Sequence, residues 1–154
     1  MGLATATIEM QNPEETRERL HDLVKATRTV IVLSGTAGSA IDGRPMALVK
    51  VADDTTMFLA TALDAAQAEE LEHNERVTVV LQGAGYALFT GVARVSRARA
   101  LIDELWTDAW RQWARAKSDP ALAVVIVEPI EGSYWESTVR QTYVYRLLED
   151  RAVG

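Results

Sequence analysis

Two hydrophobic periods alternate along this chain, and the places where one gives way to the other mark its elements. In PEETRERLHDLVKAT, residues Leu20, Leu23 and Val24 form a narrow stripe at helical spacing, which predicts a helix from about 13 to 27 with one face resting on something else. Asn12 reads as its N-cap, Pro13 as its first helical position and Glu15 as the partner in a capping box. The period then drops to that of a strand. RTVIVLS is β-branched, GTAGSAIDG is a loop of small residues with Asp42-Gly43 as turn chemistry, and RPMALVKV and TMFLAT are two more strands joined by a tight ADDT turn. DAAQAEELEHN returns to helix, with Asp64 as N-cap and Asn74 where a C-cap belongs. RVTVVLQ and YALFTGVARV follow as strands around GAG, and Gly91 within the second predicts a sharp bend or a close backbone approach.

SRARALIDELWTDAWRQWARAK predicts the longest helix, capped by Ser96, with Ile102, Trp106, Ala109 and Trp113 recurring at helical spacing. ALAVVIVEP is a sixth strand, GSYWES extends or follows it after a break, and TVRQTYVYRLLEDR reads as a closing helix. No repeat, low-complexity tract or linker interrupts the 154 residues, so residues 1–154 are expected to be a single domain. Strands in sequence-adjacent runs favour antiparallel pairing over βαβ winding. Six of them with an internal glycine bend favour a small closed barrel, an α+β, mostly β architecture with flanking helices.

Charge and composition narrow the partners. Sixteen Lys and Arg stand against 22 Asp and Glu, a net charge of −6, which argues against nucleic acid or an anionic membrane as a general partner. With no cysteine, thiolate chemistry and disulfides are excluded, and a cytoplasmic setting is the expectation. MGLATATIEM lacks the basic and apolar regions of a signal peptide, and no apolar run is long enough to span a membrane. His21 and His73 sit in polar helical contexts and read as solvated, so no metal is expected.

One short stretch departs from ordinary strand chemistry. DGRPMALVKV opens with a permanent cation, Arg44, and then Pro45, which has no N–H to donate to a ladder. A surface cation at a strand end is the ordinary explanation for an isolated arginine. Here the proline argues for a strand end left open, and TMFLAT ends at Thr61 a few residues before a helix. In a hairpin, Arg44 and Thr61 would share one end beside that helix's N-terminus, and a guanidinium, a hydroxyl and helix amides together suit a phosphate.

DGRPMALV, MFLAT, LEHNERVTVVL, YALFTGVARV, LIDELW, SDP and SYWE, in this order and spacing, resemble the general stress protein 26 group of the pyridoxamine 5′-phosphate oxidase-like flavin-binding split-barrel proteins, over roughly residues 13 to 148. The resemblance implies a six-stranded antiparallel split β-barrel and a homodimer with FMN in a cleft at the subunit interface. It implies that Arg44 holds the flavin phosphate, that the strand through Pro45 and Met46 runs along the ring, and that Thr61 contacts the phosphate or ribityl chain. Trp135 of SYWE is implied as part of the cofactor wall. The pattern departs at two positions. Where it has a serine and a lysine on the phosphate, this chain has Ala65 and Gln67. Gln67 can still donate a neutral hydrogen bond, but the lost charge-assisted bond is worth about 1.5–3 kcal/mol. FMN binding weaker than the pattern's is expected, FAD and a deazaflavin stay open, and Asp64 would repel a phosphate unless its carboxylate turns back onto the helix.

Trp106, Trp110 and Trp113 are spaced to share one helical face, which ordinarily means packing in a core or at a dimer seam. The alternative has one of them edging a flavin from the partner subunit. No Ser-His-Asp spacing, P-loop or dinucleotide fingerprint is present, since GTAGSA and GAGYAL lack the residues and the helices those motifs need. Any catalysis would therefore be the flavin's own. The expectation is an FMN-dependent oxidoreductase-like general stress protein, such as a flavin reductase. Its rivals are a non-enzymic flavin binder or sensor and a dimeric scaffold that has lost its cofactor.

Overall fold

A computed structural model describes residues 13–35, 41–73, 75–83, 85–136 and 143–145. Helix α1 is Pro13–Lys25 and is followed by strands β1 (Thr29–Ser34), β2 (Asp42–Val51) and β3 (Met57–Ala62). Helix α2 (Ala65–His73) leads to β4 (Arg76–Gln82) and β5 (Gly85–Ser96). Helix α3 (Arg99–Leu105) and a 3₁₀ turn (Asp108–Gln112) precede β6 (Leu122–Glu136), and β7 (Tyr143–Tyr145) comes last. The strands pair antiparallel in the order β3-β2-β1-β4-β5-β6-β7, and β3 also pairs with β6, which closes a six-stranded barrel with β7 added outside the ring.

Period-2 alternation builds the barrel interior. Val30 and Val32, Val77, Val79 and Leu81, and Ala87, Phe89 and Ala93 point inward from β1, β4 and β5. Two helices add to this core from opposite ends. Leu20 and Val24 of α1 enter near the β2–β3 turn, and Ala68 and Leu71 of α2 enter at the other end. A second core lies outside the barrel wall, where Ile102, Leu105, Trp110 and Ala114 cover Ala60, Leu122, Val124 and Ile126 of β3 and β6. The expected bend at Gly91 is there. The β5–β6 register shifts between Thr90 and Gly91, and a Cβ on Gly91 would lie 2.5 Å from the Glu128 carbonyl oxygen.

Five expectations need correction. Ser96, expected to cap the long helix, is the last residue of β5, and α3 begins at Arg99 with Ala98 at its N-cap. Asp42 and Gly43 are strand, paired with Ser34 and Leu33, so β2 starts before Arg44, and the Leu33 side chain crosses close over Gly43. The long helix breaks after Leu105, because Trp106 and Thr107 take extended backbone and the chain restarts as the 3₁₀ turn. Residues 143–145, expected as helix, are a strand on β6, and the rest of that stretch lies outside the described residues, as do Asn12 and Asn74. His21 is not simply solvated: it is half-buried, with Nδ1 3.2 Å from the Thr55 hydroxyl oxygen. No helix among the described residues is long and apolar enough to cross a membrane.

Candidate functional site: a cleft where two strands part

The β2–β3 register ends with Ala47 opposite Ala60. Past that point β2 stays on β1 back to Asp42, and β3 stays on β6 out to Ala62. The two strands therefore diverge, and a cleft of about 320 Å³ opens between them. Pro45 suits this place. Leu48 N–H donates to the Arg28 carbonyl at 2.8 Å, so by antiparallel alternation Pro45 faces Ile31 in a non-hydrogen-bonded pair. Its missing donor would have pointed at β3, where no partner strand remains.

Pro45, Met46 and Ala47 line one wall of the cleft, Thr61 and Ala62 the other, and Trp113 stands beside them. Thr61 borders the cleft and is buried, and its hydroxyl has no hydrogen-bond partner among the described residues. Trp113 is 39% exposed and stacks on Trp110 with ring centroids 5.4 Å apart and 28° between planes; Trp110 in turn meets Trp106 at 5.3 Å. Two arginines fix the segment that carries these rings. Arg97 donates to the Pro120 carbonyl at 2.7 Å and the Leu63 carbonyl at 3.0 Å. Arg99 donates to the Lys117 and Asp119 carbonyls at 2.8 and 3.0 Å.

The six residues expected at a cofactor are distributed unevenly. Pro45, Met46 and Thr61 meet in the cleft. Arg44 and Gln67 share a separate depression of only about 10 Å³ with Asp42 and Glu70, and Met46 borders both spaces. There the Arg44 guanidinium lies 3.8 Å from the Asp42 carboxylate. Gln67 is engaged locally: its N–H donates to Asp64 Oδ1 at 2.8 Å, and the Asp64 N–H donates to Gln67 Oε1 at 3.0 Å. This is a reciprocal capping box, with Asp64 as the N-cap its position predicted and its carboxylate turned back onto the helix. Trp135 pairs with Tyr86 across β5 and β6 on the outer face of the barrel, and it borders neither space.

Sequence reasoning missed Ala47, Ala62 and the placement of Trp113 in the cleft of its own chain. Small residues around a cleft carry no individual signal, whereas the tryptophan spacing was visible but pointed to a continuous helix. A larger depression of about 460 Å³ lies on the outer face near Leu33, Ile41, Arg76 and Thr90. The smaller cleft is the better candidate because strand divergence, a buried free hydroxyl and an aromatic wall converge there. No group of three or more potential metal ligands occurs among the described residues, and the cleft lining contains no acid or base.

A closed six-stranded antiparallel barrel whose β2 and β3 part at one end is a split-barrel fold. The chain belongs to the family described as pyridoxamine 5′-phosphate oxidase like, which matches residues 15–153. It is similar to general stress protein 26 of Bacillus subtilis (strain 168), 29% identical over 83 residues; the match takes in 50% of this chain and 59% of that relative. Among solved structures, a protein from Clostridium acetobutylicum related to general stress protein 26 superposes with a TM-score of 0.75 at 17% identity, covering 90% of this chain and 99% of the other. A general stress FMN/FAD binding protein from Xanthomonas citri superposes with a TM-score of 0.65 at 22% identity, covering 80% and 89%.

Proposed function

We propose that this is a flavin-binding protein whose cleft between β2 and β3 holds the isoalloxazine ring. The observation that carries the reading is the divergence of the two strands beside Trp113. It leaves a slot near the lower end of the size range of small-molecule sites, with mostly apolar walls. In that slot Pro45, Met46 and Ala47 would lie along the ring, Trp113 would bound it, and the Thr61 hydroxyl would accept or donate one hydrogen bond. A relative whose name includes FMN/FAD binding supports the same ligand class. A bound flavin supplies electron or hydride transfer. The chain's own residues bind and orient the ring and keep water from one of its edges. With no acid or base in the cleft, proton delivery would come from solvent. A flavin reductase is the enzymic form of this reading and a flavin store or sensor the other, and a cytoplasmic setting suits both. The purified chain should take up flavin with bands near about 370 and 450 nm. NADH or NADPH consumption by the loaded protein separates the two forms.

A homodimer belongs to the same proposal, with a second copy on the outer face of β1, β4 and β5. A cross-strand row runs Pro45, Ile31, Val80, Leu88 on that face, starting at the cleft wall. Ile31 and Tyr86 on this face are 41% and 47% exposed. An apolar row of this kind, continuous with the cleft, suits a self-complementary contact. Trp135, beside Tyr86, would reach a flavin only across such a contact.

A further inference from the structure

We infer that the cleft recognises its ligand by the aromatic ring and an uncharged tail, so that riboflavin and FMN bind with nearly equal affinity; this rests on the flavin reading above. The juxtaposition that carries it is the closed pair of Asp64 and Gln67, two residues past the cleft residue Ala62, together with the carboxylates around Arg44.

A phosphate at a helix N-terminus needs free amide donors and an absence of competing negative charge. At α2 neither condition is fully met. The Gln67 amide already donates to Asp64, whose carboxylate sits where an anion would bind. The Gln67 side-chain oxygen is held on the Asp64 amide, which ties the side chain to the cap and leaves only its neutral NH2 group to donate. Two cations near the start of α2 are also engaged. Arg44 lies 3.8 Å from the Asp42 carboxylate and borders, with Asp42 and Glu70, a space about large enough for one water-sized sphere. Arg97, close to the end of β3, donates to two backbone carbonyls. A phosphate approaching from the cleft would meet Asp42, Asp64 and Glu70 against one paired guanidinium. The cleft itself has only neutral walls. Ring contacts and the Thr61 hydroxyl are common to both flavins, and the phosphate adds no net attraction.

The test is fluorescence titration of the full chain with riboflavin and with FMN at low and high salt. The two dissociation constants should agree within about threefold, and any preference should be for riboflavin and should fade as salt screens the carboxylates. FMN binding more than about tenfold tighter, with an advantage that shrinks in salt, would overturn the inference while leaving the flavin reading intact. Failure of both flavins to bind would overturn that reading and the inference with it. The double variant Asp64→Ser, Gln67→Lys keeps a capping hydroxyl, removes a carboxylate and adds a cation. It should shift the ratio toward FMN by about tenfold at low salt. An unchanged ratio in a variant that melts like the wild type would show that these residues do not face the ligand's tail, and would contradict the inference.

Discussion

Trp113 stacks on Trp110, yet the first ring is 39% exposed at the cleft while the second is 2% exposed in the core outside the barrel wall. The buried ring fixes the position of the open one, and this separates their roles. Replacing Trp113 by Ala should weaken flavin binding by up to about tenfold, the scale of an aromatic stacking contact, with little change in melting temperature. Replacing Trp110 by Ala should cost about 3–5 kcal/mol of stability. Thermal melts and flavin titrations on both variants check the division. A large stability loss at Trp113 would contradict it.

Gly91 should tolerate no side chain. A Cβ there would meet the Glu128 carbonyl oxygen at 2.5 Å and Pro129 Cα at 3.0 Å, both backbone atoms of the paired strand. Gly91→Ala should destabilise the fold by at least about 1–3 kcal/mol in urea unfolding, since the barrel must open locally to admit the methyl group. Gly83→Ala, where nothing lies within 4 Å, serves as the control and should be near neutral.

Thr55 holds φ at 71° in the β2–β3 turn and places its hydroxyl against His21. Thr55→Ala loses that bond and keeps the left-handed strain; Thr55→Gly loses the bond and relieves the strain. The glycine variant should therefore be the more stable of the two by about 1 kcal/mol, measured by denaturant unfolding.

Ile31→Glu should convert a dimer to monomer. It places a charge in the middle of the outer apolar row without touching the interior, since Val30 and Val32 face the core. Sedimentation velocity at micromolar concentration should show the wild type at twice the chain mass and the variant near 16.9 kDa. A wild-type species at the chain mass alone would remove the proposed subunit contact.

The barrel was legible in the sequence because alternation in β1, β4 and β5 is strict and sided, so pattern and packing agree. The split was legible for a local reason: Pro45 cannot serve a central ladder, and it sits where β2 loses β3. Other parts depended on contacts no local pattern contains. The tryptophan spacing implied one helix, but packing of Trp110 against β3 and β6 is compatible with a break at Trp106 and Thr107. Thr107 and Asp108 are weak helix formers, so little local preference opposed it. Tyr143–Tyr145 is aromatic and β-branched, and the charged residues after it diluted that signal in a longer window. Arg44 reads in sequence as a cation available to a phosphate. Its neighbours Asp42 and Glu70 become relevant only once β2 and α2 are brought together.

The central claim is that flavin occupies the slot between β2 and β3, and a blocking substitution tests it most directly. Ala47 lines the slot and is half-buried, so Ala47→Trp should fill the space while leaving the barrel interior intact. Riboflavin titrated into the wild type should show saturable fluorescence quenching at one flavin per chain. In Ala47→Trp the quenching should disappear while the melting temperature stays close to the wild type's. Undiminished binding in the blocked variant, or no saturable binding in the wild type, would contradict the account.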